Sequence, residues 1–419
     1  MKSGPQSGAA KAQKILFVSC NPTHPVHAGS RIRMLTVAQA LRDAGWETYL
    51  LYQDLTWGDV PAMRQWWGRD NFRFVSYSRH NPGRRVAQYL CAHSQILTRG
   101  LDALRAREAK RKPKQALRRD ISTIDELVDP GLKAPLQAWC REHQFQVVVA
   151  EYAYLSQVLT WVPSGTKRVI DTIDVMALAK PEEERRKYWL GVTAEEECRG
   201  LDRADVLWAI QDHEAEVFRR CSRARIATIG HLVGKVSAPA VHGADRSGIL
   251  FVGSRHAHNV DGLRAFGRRI WPQLDAETRT TTLTVVGDIA EVVSAELPFR
   301  FLGPVDELAP HYAKAHIVIA PIYGGTGLKV KVIEAMAHGC PVVTTPEGAW
   351  GLEPAEGHGL VIARNDKEFA NAVRQFLLDP GLARSAGEMA RQFAVDWNHR
   401  QKKALIESLA PLNGARPAP

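Results

Sequence analysis

"YGGTGLKVKVIEAMAHGCPVV", Tyr323 to Val343, is the stretch on which the reading of this chain turns. Gly324, Gly325 and Gly327 crowd its front, and a helix-forming run follows from Leu328 to His338. Gly339 stops that run, and Cys340-Pro341-Val342-Val343 reads as a strand. Just before it, "HIVIAPI" (316–322) is an apolar run of strand length. Strand, glycine turn, helix and strand in this order predict a parallel α/β unit. The first N–H groups of such a helix lack internal partners, and its dipole favours an anion there. Glycines let a bulky phosphate approach the backbone, and Lys329 and Lys331 add positive charge. The other reading is a tight turn whose glycines serve only packing. No Gly-Lys-Ser/Thr is present, so this is not a Walker loop. Val330 stands where the dinucleotide fingerprint needs its third glycine. On the helix, three-or-four spacing puts Lys331, Glu334 and His338 on one face. Glu334 is then either a carboxylate for two ribose hydroxyls or one half of a surface pair with Lys331.

Outward from this stretch the chain falls into two similar halves. The second opens at "GILFVGS" (248–254), followed by a helical run at 259–274. Strand-like runs recur at 282–288, 299–304, 316–322, 340–345 and 359–363. The first half opens at "KILFVSC" (14–20), with a Gly/Pro-rich loop and a helix stopped by Gly45. Further strand-like runs stand at 47–53, 72–77, 145–151, 167–172 and 205–210. The expectation is α/β, two Rossmann-like doubly wound domains, at residues 14–230 and 248–390. The join is placed at 222–247, where the composition is that of a linker. Residues 1–13 are expected to be disordered and 411–419 to form a flexible tail. In open sheets of this kind ligands bind beyond the carboxyl ends of the strands.

Composition narrows the class. The 419 residues carry a net charge of +10. Much of it sits between Arg99 and Arg119, with nine basic and two acidic residues. That segment is a solvated face or loop, or a contact for an anionic membrane surface or acceptor. No zinc-finger, RNP or basic-zipper pattern accompanies the charge, so no nucleic acid partner is expected. The six cysteines form no C-x-x-C pair, and no D-x-D occurs, so no metal site and no cofactor are expected. No run approaches the ~18 apolar residues of a transmembrane helix. The expected location is cytoplasmic, with peripheral association at the inner face of a membrane as an added possibility.

"PIYGGTGLKVKVIEAMAHGCPVVTT" strongly resembles the donor-binding motif of GT-B glycosyltransferases of the family 4 type. "FVGSRHAHNVDGL", "FLGPVDELAPHYAKAHIVIAP" and "GAWGL" (348–352) add to the likeness, as does the opening strand, loop and helix. The resemblance is specific in the second half and looser between 55 and 165. It implies a GT-B fold, two domains facing across a cleft, and a nucleotide-diphosphate sugar donor. The acceptor would be a glycan, a lipid-linked glycan or a protein. Glu334 would hold the ribose, and Gly325, Thr326, Gly327 and Leu328 the diphosphate. Gly29 would face the same phosphates from the first half. A C-terminal helix at 391–410 would cross back to the first domain, with Trp397 and Leu405 as buried anchors.

The departures are informative. Many members carry a glutamate where this chain has Thr326, an arginine at Ser254 and a lysine at Asn259. Lys329, Lys331 and Arg255 are the expected replacements, with Gly253 and Ser254 beside them in the expected donor site, and the chain looks more similar to a subgroup with "GTGLK-x-K" in place of that glutamate. Asp174, in "VIDTIDV", is the candidate catalytic residue on the acceptor side, and Asp171 reads as a cap or turn residue. Trp57, Trp66 and Trp67 are an acceptor surface or a first-half core. An inactive paralogue serving as a scaffold, and a GT-B epimerase, are the alternative functions.

Overall fold

The computed structural model describes residues 12–26, 29–55, 58–77, 123–178, 192–234 and 246–411. The basic segment 99–119, Trp57, Cys91 and most of the expected tails lie outside these residues.

Two compact units are present. The first takes in residues up to Ala209, Glu214–Thr228 and those from Leu405 on. The second takes in Ile210–His213 and Ile229–Ala404. In the first, β1 (Lys14–Ser19), β2 (Glu47–Gln53), β3 (Phe72–Val75), β4 (Val147–Glu151), β5 (Lys167–Asp171), β6 (Val206–Ala209) and β7 (Arg225–Thr228) form one sheet. All pairings are parallel, in the order β3-β2-β1-β4-β5-β6-β7. Helices α1 (Gly29–Asp43), α2 (Val60–Trp67), α3 (Lys133–His143), α4 (Ala194–Leu201) and α5 (Asp212–Arg219) connect them. Every residue of β4 is buried, which is why "VVVAE" has no alternation: helices cover both faces of a parallel sheet.

The second unit repeats the plan with β8 (Ile249–Val252), β9 (Leu283–Val286), β10 (Arg300–Gly303), β11 (Ile317–Ala320), β12 (Val342–Thr344) and β13 (Leu360–Ile362). Their order is β10-β9-β8-β11-β12-β13, again all parallel. Its helices are α6 (Ala257–Ala265), α7 (Ala290–Val293), α8 (Ala309–Lys314), α9 (Val330–Ala337), α10 (Asp366–Leu378) and α11 (Pro380–Ser408). In each sheet the connection reverses direction once, between β1 and β4 and between β8 and β11. The carboxyl ends there are where ligands of such sheets bind.

Several boundaries differ from the sequence reading. The linker expected at 222–247 contains β7, whose run "RIAT" is only partly buried and so lacked an apolar signature. The helix expected over 259–274 is α6, then a π-helical turn at Phe266–Ile270 and a 3-10 turn closed by Pro272. No helix begins at 391. Asp379 accepts from the N–H of Leu382 (2.9 Å), and Pro380 follows it at the first helical position, so α11 starts there. Residues up to Ala404 belong to the second unit, and Trp397 is anchored in that unit. Leu405, fully buried, belongs to the first unit, where Trp208 Nε1 donates to Ser408 Oγ (2.9 Å).

Candidate donor site of the second unit

The four residues of β11 are buried, and so are Pro321 and Ile322 after it. At Tyr323 the chain surfaces, and Gly324–Lys329 turns it into α9. Gly325 has φ +87° and Gly327 φ +75°, conformations in which a side chain is strained. A Cβ on Gly325 would also stand 2.7 Å from the ring of His258. The Lys329 ammonium folds back and donates to the carbonyls of Gly325 (3.1 Å), Thr326 (3.0 Å) and Gly327 (2.8 Å). The sequence reading aimed this lysine at a diphosphate, whereas here it braces the loop. The consequence favours an anion all the same. In a trans peptide the N–H points away from the C=O, so the N–H groups of Thr326, Gly327 and Leu328 point away from Lys329.

Across the switch point, β8 ends at Val252, and Gly253, Ser254 and Arg255 follow. Arg255 is exposed and paired with Asp288 and Glu291, each at 3.4 Å. Asn259 Nδ2 donates to the carbonyl (3.0 Å) and Oγ (3.2 Å) of Ser254. Asn259 Oδ1 in turn accepts from Lys331 Nζ at 2.6 Å. The ammonium also lies 4.9 Å from the centre of the Phe251 ring. Lys331 thus brings its amine from α9 to Asn259, 72 positions away in the chain. Burial, with Lys329 nearby, pushes its pKa down to about 7.

One turn further along α9 stands Glu334. Val332, Ile333, Ala335, Met336 and Ala337 are buried around it. Burying the three larger side chains contributes about 1.5–3 kcal/mol each, enough to carry Lys331 and Glu334 out of water with them. The Glu334 side chain is 17 % exposed, and burial raises its pKa to about 7. Among the described residues no hydrogen bond is made to its carboxyl group. Lys331, the partner in the alternative reading as a surface pair, is engaged by Asn259. His231 Nε2 lies 3.9 Å from Glu334 Oε1.

Gly29 and Asp174 belong to the first unit. Gly29 opens α1 and is exposed. Asp174 follows β5 and is half-buried, its N–H donating to the Thr172 carbonyl at 2.6 Å. Asp171 does not cap or turn. It accepts a bidentate contact from the buried Arg33 of α1, at 3.0 Å from Nε and 2.8 Å from Nη2. Beside it Glu151, at the end of β4, is bonded to Ser19 and Asn21 at the end of β1. Burial raises the Glu151 carboxyl to about 8. Trp67 is buried, and Trp66 lies under the Arg42 guanidinium at 4.1 Å, a packing arrangement. Sequence reasoning gave no role to His231 or Glu151 and did not foresee the contact of His258 with the glycine loop or the Arg33–Asp171 pair, because the partners are far apart in the chain. Among the described residues no group of three His, Cys, Asp or Glu could hold a metal, and no helix is long and apolar enough to cross a membrane.

Comparison with known proteins bears on this geometry. Residues 246–379 match the family model for glycosyl transferases group 1. A 138-residue stretch is 30 % identical to an uncharacterized 44.6 kDa protein in the cps region of Klebsiella pneumoniae, covering 30 % of this chain and 36 % of that protein. Over the whole chain the fold is similar to that of a sucrose-phosphate synthase from Thermosynechococcus elongatus, with TM-score 0.64 and 17 % identity. That match covers 94 % of this chain and 98 % of the other. HepE from Anabaena, solved with UDP and glucose, matches with TM-score 0.57 and 14 % identity over 96 % of this chain and all of that one. The two parallel α/β units are thus those of the GT-B fold.

Proposed function

We propose that this chain, GT-B in fold and with a glycosyl transferases group 1 domain at residues 246–379, transfers a sugar from a nucleotide-diphosphate donor to a glycan, a lipid-linked glycan or a protein. The observation that carries the reading is Glu334. A largely buried carboxyl group without a hydrogen bond is costly, and two ribose hydroxyls would satisfy it. The Gly324–Lys329 loop, 5 to 10 residues before it in the chain, would offer its N–H groups to a diphosphate. Lys331 supplies the charge there: an anion beside Asn259 would draw the proton back onto its amine.

In this reading Glu334 orients the nucleoside, and the loop N–H groups and Lys331 stabilise charge gathering on the leaving diphosphate. Such charge can be met by dipoles and lysine without a metal. The transfer retains anomeric configuration, with the donor's own phosphate receiving the acceptor's proton. Asp174 stands on the acceptor side, and segment 99–119 would meet an anionic membrane surface at the cytoplasmic face. The sugar on the donor is the specificity that Thr326 would influence, since it stands where many relatives have a carboxylate.

A panel of nucleotide sugars screened by thermal shift tests the reading, because a ligand bound only by the folded state raises the melting temperature. One nucleotide sugar is expected to raise it and, with acceptor, to be consumed with release of nucleoside diphosphate. Binding without turnover would mark a scaffold, and turnover without acceptor an epimerase. No shift with any nucleotide sugar would contradict the donor assignment.

A further inference from the structure

The segment that leaves β7 is held in place from one side by α11. Gly230 N donates to Gln401 Oε1 (2.7 Å), and Trp397 Nε1 donates to the His231 carbonyl (2.8 Å). Asn398 bonds Val233 twice, accepting from its N–H and donating to its carbonyl, both at 2.9 Å. Gly230 is a glycine for a steric reason, since a Cβ there would stand 2.2 Å from the Trp397 ring. With the backbone clamped this way, the His231 side chain is driven inward. It has no exposed surface, and its Nε2 faces Glu334 Oε1 at 3.9 Å. A side chain needed only to fill this space could be apolar, and burying an imidazole carries a desolvation cost.

We propose that His231 is the positioning residue for Glu334: its imidazole takes the proton that the carboxyl group gives up when a nucleoside diphosphate binds. The ribose hydroxyls then meet a carboxylate already paired with a cation. This rests on the donor-site reading of Glu334. The step is a proton transfer alone, from a carboxyl oxygen to an imidazole nitrogen, with no other reactant. Around Glu334 stand the other groups that titrate or carry charge. Tyr312 approaches from α8, buried with its hydroxyl lacking a hydrogen bond. Lys331 and His338 lie a turn to either side on its own helix. Arg246 donates to the His338 and Gly339 carbonyls, and Cys340 donates to the Tyr312 carbonyl. Of these, His231 is the base whose ring nitrogen reaches ion-pair distance of the carboxyl oxygen.

The test is the pH dependence of UDP affinity divided by that of pyrophosphate. Comparing the variant with the wild type on the same two ligands cancels the titration of the phosphates and of Lys331. In the wild type the proton stays within the pair, so Glu334 should add no slope to the ratio between about pH 6 and 8. In His231→Gln the proton must go to solvent. The ratio should then fall by up to about tenfold per unit below about pH 7. A ratio lowered equally at every pH, with the wild-type slope, would reduce His231 to packing and overturn the proposal. Should His231→Gln not fold, calorimetry of the wild type at about pH 6 in buffers of different ionisation enthalpy decides. The wild type is expected to release no more protons on binding UDP than Glu334→Gln does, and an extra proton released by the wild type contradicts the proposal. Glu334→Gln separates the two levels. If it weakens UDP while His231→Gln leaves the slope unchanged, this inference alone fails. If it leaves UDP binding intact, the donor-site reading fails with it.

Discussion

The two units place a glutamate at comparable points and treat it differently. Glu151 ends β4 beside β1, and Glu334 stands on α9 behind the loop that leaves β11 beside β8. Burial raises the pKa of both. Glu151 is bonded to Ser19 and Asn21, and the neighbouring charges are matched, Arg33 to Asp171, with almost no exposure. Glu334 has no such bonds and keeps a partly open face. One carboxyl group is therefore closed in by the fold, held through Oε2 with Oε1 buried and lacking a hydrogen bond among the described residues, while the other keeps an open face that a ligand can reach. That difference, rather than a raised pKa alone, is what marks a binding residue.

The largest expected effect breaks the closed side. Arg33→Met leaves the Asp171 carboxylate buried and unpaired, so stability should drop by about 3–5 kcal/mol. Chemical denaturation followed by tryptophan fluorescence measures it. A loss below about 1 kcal/mol would show the pair behaving like a surface one.

A smaller effect sharpens the comparison through pH. The folded-state pKa of Glu151, about 8, lies above its ordinary 4.5. Its stabilising contribution is therefore whole below about pH 4.5 and is lost as the pH rises through 8. At about 1.4 kcal/mol per pKa unit, the loss is on the order of 3 kcal/mol by neutral pH. Glu151→Gln, which keeps a neutral side chain of the same shape, should remove this slope and raise the melting temperature at pH 7 to 8. An unaltered pH profile would mean that Glu151 is ionised in the fold.

Much of this architecture was legible in the chain. Fully buried parallel strands such as "VVVAE" and "IVIA" leave unbroken apolar runs, and the glycines before α9 mark the loop. The start of α11 was hidden because Asp379-Pro380-Gly381 reads equally as a turn, and only the cap geometry decides. In the site, Glu334 was visible because a carboxylate amid Val, Ile, Ala and Met breaks the pattern of its helix. Lys331 was visible too, but its contact with Asn259 was not, since the two are 72 positions apart. His231 was invisible for the same reason. Its role depends on a clamp built by Trp397, Asn398 and Gln401, far along the chain.

The central claim is that Glu334 awaits ribose hydroxyls while Lys331 awaits phosphate. Calorimetric titration of Glu334→Gln and Lys331→Met with UDP and with pyrophosphate tests it most directly. Hydrogen bonds to charged groups contribute about 1.5–3 kcal/mol, so Glu334→Gln should bind UDP roughly tenfold or more weakly. It should bind pyrophosphate, which has no ribose, as the wild type does. Lys331→Met should weaken both ligands. Unchanged UDP affinity in Glu334→Gln would contradict the account.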